Sequence, residues 1–161
     1  MKVRISGIDL DKIDFDFHEQ LNEIARMVKS DIDQTVRSGK GVTSTGGKAG
    51  LKALKPSTVA AKAKSIDSTI RSNASKPLVG TGSMINLEID KATKANQTAK
   101  LHGGRIKPYS AISKAYYSQA TAAEVGAYHQ ETRPWFGISK DVGKRIERYV
   151  SLEMDKRLAR A

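Results

Sequence analysis

The chain has 161 residues, 39% hydrophobic and 28% charged, which fits one soluble domain large enough to bury its own core without a metal or disulfide staple. It contains no cysteine, which excludes disulfide frameworks, thiolate zinc sites, iron–sulfur clusters and a cysteine nucleophile. Lys and Arg outnumber Asp and Glu by 28 to 17, and the excess is central, with nets of −2 over residues 1–37, +10 over 38–108 and +3 over 109–161, so an anionic partner is expected.

The opening MKVRISGIDLDKIDFDF has no apolar run behind its basic residues, and no long uncharged apolar stretch follows. Neither a signal peptide nor a membrane span is expected. Val3 and Ile5 alternate with polar residues, the period of a short strand ending near Gly7. From about Asp11 the period changes. Phe17, Leu21, Ile24, Val28, Ile32 and Val36 recur every three or four residues and predict a long amphipathic helix, with acids crowding its start and Arg37-Ser38-Gly39 at its stop.

Residues 38–50, SGKGVTSTGGKAG, are rich in glycine and small polar residues and read as a mobile basic loop. Together with the short helix opened by Pro56, they form a basic arm over 38–76, the SIDSTIRSNAS stretch falling back into polar loop. Gly80-Thr81-Gly82 predicts a turn, and Leu87 and Ile89 alternate as in a strand. AKLHGGRI suggests another strand, with Gly103-Gly104 as its hairpin turn. Tyr109 to Gln130 favours helix, with a strand near Glu124–Ala127 as the alternative. RPWFGIS reads as an extended apolar strand, and Ser139 caps a last helix with Val142, Ile146, Tyr149, Val150 and Leu158 on its buried side. The fold class expected is α+β: long N- and C-terminal helices on a small, mostly antiparallel sheet, in one domain over 1–161.

His18, His102 and His129 stand without an i, i+4 partner or an HExxH pattern, so no metal site is expected. The carboxylates next to His18 and His129 in sequence point elsewhere on a helix, which leaves these as capping or interfacial histidines. No GxSxG elbow and no phosphate-cradling GxxxxGK[ST] loop occurs, and Asp9, Asp11, Asp14 and Asp16 have the wrong spacing for a calcium loop. No catalytic residue and no cofactor is expected. The basic centre holds Lys40, Lys48, Lys52, Lys55, Lys62, Lys64, Arg71 and Lys76 with Asp67 as its one acid and no aromatic for base stacking. Lys40, Lys48, Lys52 and Lys55 are the candidate contacts, either to phosphates or to an acidic protein face, and a plainly solvated surface fits as well.

Three segments, in order, resemble the virion morphogenesis and tail-completion proteins of tailed bacteriophages and Mu-like prophages. LKALKPSTVAAK (Leu51–Lys62) is similar to that family's L-x-P-x-T-x-x-x-K helix opening, without the tryptophan often found upstream. KPLVGTGSMINLEI (Lys76–Ile89) resembles its K-P-L-x-x-T-G turn and strand, with Thr81 and Gly82 at the turn, Gly80 where Asp is common and Leu87 where Ser or Thr is common. AYHQETRPWFGIS (Ala127–Ser139) resembles its A-x-x-H-Q … R-P-F-x-G-[LI]-S signature, with the glycine-rich stretch shortened to Glu131-Thr132.

The resemblance implies a structural virion protein, not an enzyme, at the neck where tail tube and sheath meet the head connector. It would act as a tail terminator or head–tail joining component and reside in the host cytoplasm until assembly. It also implies subunits arranged in rings, a hexamer being favoured by the symmetry of tail tubes and a dodecamer the alternative. His129, Gln130, Arg133, Pro134, Trp135, Phe136 and Gly137, with Thr81 and Gly82, are then structural and interface residues, and non-specific contact with DNA in the channel is compatible with the basic arm. A small basic nucleic-acid-binding protein is the alternative from another class.

Overall fold

The computed structural model describes residues 4–5, 8–9, 16–79, 87–103, 124, 127, 129–130 and 133–160. Two short strands, β1 (Arg4–Ile5) and β2 (Ile8–Asp9), pair antiparallel ahead of the 20-residue helix α1 (His18–Arg37). The Asp16 carboxylate stands just before α1, where it accepts from the His18 backbone N–H and meets the His18 ring at 2.6 Å. The Gln97 side-chain amide, donating at 2.7 Å, and then His18 hold that carboxyl far below the usual carboxylate range. At the other end Arg37 pairs with Asp33, and Gly39, at φ +78°, takes the left-handed conformation that ends the helix.

The buried side of α1 is rotated from the face that the apolar residues mark. Asn22, Ala25, Asp31, Ile32, Thr35 and Val36 are buried, and three of these are polar. Asn22 explains itself: its amide donates to the Ala92 carbonyl at 3.0 Å and accepts from the Ala92 N–H at 2.8 Å, which ties α1 to a segment 70 residues away.

Residues 38–50 are not a loop. They form a hairpin of β3 (Lys40–Val42) and β4 (Lys48–Gly50), with Thr43 and Gly47 closing the turn and Gly46 at φ +75°. Composition counts only what a segment buries within itself, whereas Val42 is buried against residues from the far end of the chain. Pro56 does open a helix, α2 (Pro56–Ala63), in its first turn. The stretch expected as polar loop contains a further helix, α3 (Ser68–Ser72), because the Asp67 carboxylate accepts from the Thr69 and Ile70 N–H groups.

Strands β5 (Glu88–Asp90) and β6 (Lys100–His102) pair antiparallel with Ile89 opposite Leu101. The partner of β6 thus precedes it, and Thr93 and Asn96, each accepting from the other's N–H, shape the connection; the turn expected at Gly103-Gly104 runs outside the described residues. The Thr81–Gly82 turn lies outside the described residues. Of the helix expected over 109–130, Glu124, Ala127, His129 and Gln130 are described, and all four are helical.

Ser139 caps the last helix, α4 (Lys140–Leu158), its hydroxyl accepting from the Val142 N–H at 3.3 Å. Helix α4 runs antiparallel to α1, since Arg157 near its end donates to Asp16 O and stacks 4.2 Å over the Phe17 ring while Ser139 at its start meets Asp31. Only Val142 of the five expected apolar residues is fully buried; Ile146 and Tyr149 are partly covered, and Val150 and Leu158 face solvent. The architecture is α+β, as expected, and the strands among the described residues pair as three two-stranded antiparallel ladders. Ile32, Val36, Val79, Leu87 and Trp135 form the core, joined by Val28, Leu51, Leu78 and Leu101. No helix among the described residues is long and apolar enough to cross a membrane.

Candidate functional site

Residues 133–139 run extended without joining a ladder, which differs from the strand expected there. The side chain of Gln130 takes the place of a neighbouring strand. Its carbonyl oxygen accepts from the Trp135 and Phe136 N–H groups, both at 3.0 Å, and its amide donates to the Phe136 carbonyl at 2.9 Å. Arg133 donates through Nε to the Lys52 carbonyl at 3.0 Å. Trp135 then points inward at 3% exposure and meets the Phe136 ring edge-on at 5.7 Å, while Phe136 and Ile138 face outward, the alternation of an extended chain. Burial, with the Arg133 guanidinium nearby, pushes the neighbouring His129 imidazole below its ordinary value, so it is neutral at pH 7.

The same segment packs on the glycine-rich hairpin. A Cβ on Gly41 would run into the Pro134 carbonyl and lie 2.7 Å from Leu51 Cδ2, and one on Gly137 would press on Val42 at 3.3 Å. The hairpin therefore needs its glycine at 41 for close backbone approach and not for flexibility. Gly41→Ala should cost about 1–3 kcal/mol, because the backbone of 133–137 has to move. Gly50→Ala, where nothing lies within 4 Å of the added carbon, should change stability by less than about 0.5 kcal/mol. Urea unfolding of the two variants checks the contrast, and equal stabilities would contradict the packing.

Two polar nodes hold this assembly together. The buried Asp31 carboxylate receives Lys48 Nζ at 2.6 Å and the Ser139 hydroxyl at 2.7 Å, so one acid on α1 joins the hairpin to the cap of α4. The Lys140 N–H adds a bond to Gly46 O at 2.8 Å. Lys62, on α2, is buried at 6% exposure, and its ammonium donates to the carbonyls of Asn73, Lys76 and Val79 at 2.8, 2.8 and 2.9 Å. Three donors meet three acceptors, and burial lowers the ammonium's pKa.

The candidate contacts separate accordingly. Lys40, Lys52 and Lys55 are exposed, whereas Lys48, proposed alongside them, is committed to Asp31 and belongs to the framework. Asp31, Gly41 and Lys62 were not singled out for these roles by sequence. Asp31 had one signal: three residues beyond Val28 in the helical repeat, it falls close to the covered face. Among the described residues no group of three or more His, Asp or Glu is arranged to hold a metal ion. Comparison with protein-family models, with curated proteins and with solved structures finds no match.

Proposed function

We propose that this chain is a structural virion protein of a tailed bacteriophage, a tail-terminating or head–tail joining subunit that works as a ring at the neck. The observation that supports the reading is the placement of the residues that resemble the family. Pro56 opens α2, Lys62 at the end of that motif grips the backbone of the Lys76–Val79 segment, and Gln130 braces Trp135 and Phe136 against β3. Motif residues with architectural tasks and no reacting group suit a subunit whose function is its shape.

In this reading no catalytic step occurs, and six copies are favoured over twelve. Phe136 and Ile138, exposed beside the buried Trp135, offer apolar area to a neighbouring subunit. The neighbours at the two faces of the ring are tail tube or sheath on one side and the head connector on the other. Deleting the gene should leave filled heads and separate tails in the lysate, with joined particles restored by supplying the protein in trans. A normal yield of joined particles without it would contradict the proposal.

A further inference from the structure

Eight cations fall between residues 38 and 79, and their partners divide them. Three are engaged within the protein: Lys48 on Asp31, Lys62 on its three carbonyls, and Arg71 on the Ser65 and Ile66 carbonyls, each at 2.7 Å. The other five, Lys40, Lys52, Lys55, Lys64 and Lys76, are exposed, and none is paired with a carboxylate among the described residues. The single acid of this stretch, Asp67, is turned onto the start of α3. Hydrogen bonds to backbone carbonyls bring parts of this surface together: Leu51 N donates to Gly39 O, Arg133 Nε to Lys52 O and Lys62 Nζ to Lys76 O.

On the two long helices acids are interspersed with the cations: nine Lys and Arg stand beside eight Asp and Glu over 18–37 and 140–158, and Arg26 pairs with Glu23, Arg37 with Asp33 and Lys156 with Glu153, the mixture that suffices for solubility. Five ammonium groups unpaired with carboxylates among the described residues, with Asp67 the one acid in their stretch, leave an excess of positive charge that an anionic partner relieves.

We propose that this lysine-bearing surface binds the phosphate backbone of duplex DNA without reading its sequence. Phosphates are satisfied by point charges on flexible stems, which is what these lysines present. Protein interfaces instead favour Arg and are depleted in Lys, and the one Arg of this stretch is held by its own backbone. Residues 38–79 contain no aromatic side chain, and of the 133–139 segment packed on them only Phe136 is an exposed aromatic, so successive stacking platforms of the kind that hold single strands are lacking.

The inference stands on the charge distribution and does not depend on a virion role; DNA binding and the deletion phenotype can fail separately. Purified full-length protein titrated into a labelled duplex of arbitrary sequence should bind with a log–log salt slope of about −4.5 per subunit, for five phosphates neutralised. That slope corresponds to roughly a 500-fold loss of affinity between 50 and 200 mM salt. Replacing Lys40, Lys52, Lys55, Lys64 and Lys76 with Gln should bring the slope toward zero at an unchanged melting temperature. A control losing the same charge from α1, α4 and the residue-160 end, with Arg26, Lys144, Arg145, Arg148 and Arg160 replaced by Gln, should keep the parent slope. Equal loss in both variants would reduce the effect to net charge and overturn the proposal. So would absence of duplex binding at 50 mM salt, tighter binding to the single strand, or equally strong competition by polyglutamate, which would point to an acidic protein face.

Discussion

Trp135→Ala should destabilise the protein by about 3–5 kcal/mol, since it empties the centre of the core formed with Ile32, Val36, Val79 and Leu87. It also removes the edge-on contact with Phe136. Against a typical total of about 5–15 kcal/mol, a loss of that size removes from about a fifth to all of the stability. A drop in melting temperature of roughly 10 °C or more, or recovery only as insoluble protein, is the expected outcome. Trp135 is the sole tryptophan, so in the parent its fluorescence should be blue-shifted and move to the red on unfolding. A variant melting within a few degrees of the parent would place Trp135 outside the core and make the 133–137 segment an interface only.

Lys62→Met should cost about 2–4 kcal/mol. The stem length is kept, but the carbonyls of Asn73, Lys76 and Val79 lose their shared donor, and the buried Val79 carbonyl is the hardest for water to reach. Lys62→Arg should also destabilise, because a planar guanidinium fork does not converge on three carbonyls as an ammonium does. Thermal melts of both variants, beside Lys64→Met as an exposed control, test the assignment. Parent-like stability of Lys62→Met would show that the carbonyls are satisfied without it.

What could be read in advance follows from how far apart the cooperating residues lie. Helix α1 and the capped start of α4 are visible because the periodic residues, Asp or Glu at the start and Ser139 as cap all lie within a few residues of one another. Periodicity tells which residues share a face and not what covers it. Val150 and Leu158 therefore match the pattern of α4 but remain exposed. The β3–β4 hairpin was illegible for the opposite reason. Its strands are three residues long, and what orders it comes from Asp31 and Pro134, distant in sequence. Lys48 and Lys62 looked like surface charge because their partners, one carboxylate and three backbone carbonyls, are set only by the fold. In the C-terminal motif the apolar character of RPWFGIS was legible, but not that Trp135 turns inward and Phe136 outward, and Gln130 was known only from resemblance until its amide was seen bracing two consecutive residues.

An averaged reconstruction of the intact particle would reveal whether the chain is built into the neck of a virion, as proposed. A neck subunit should appear as a closed ring between tail tube and head connector, each copy fitted by the antiparallel α1–α4 pair with the β3–β4 hairpin beside Trp135. A neck fully accounted for by other chains, with no copy of this protein in the particle, would contradict the proposal.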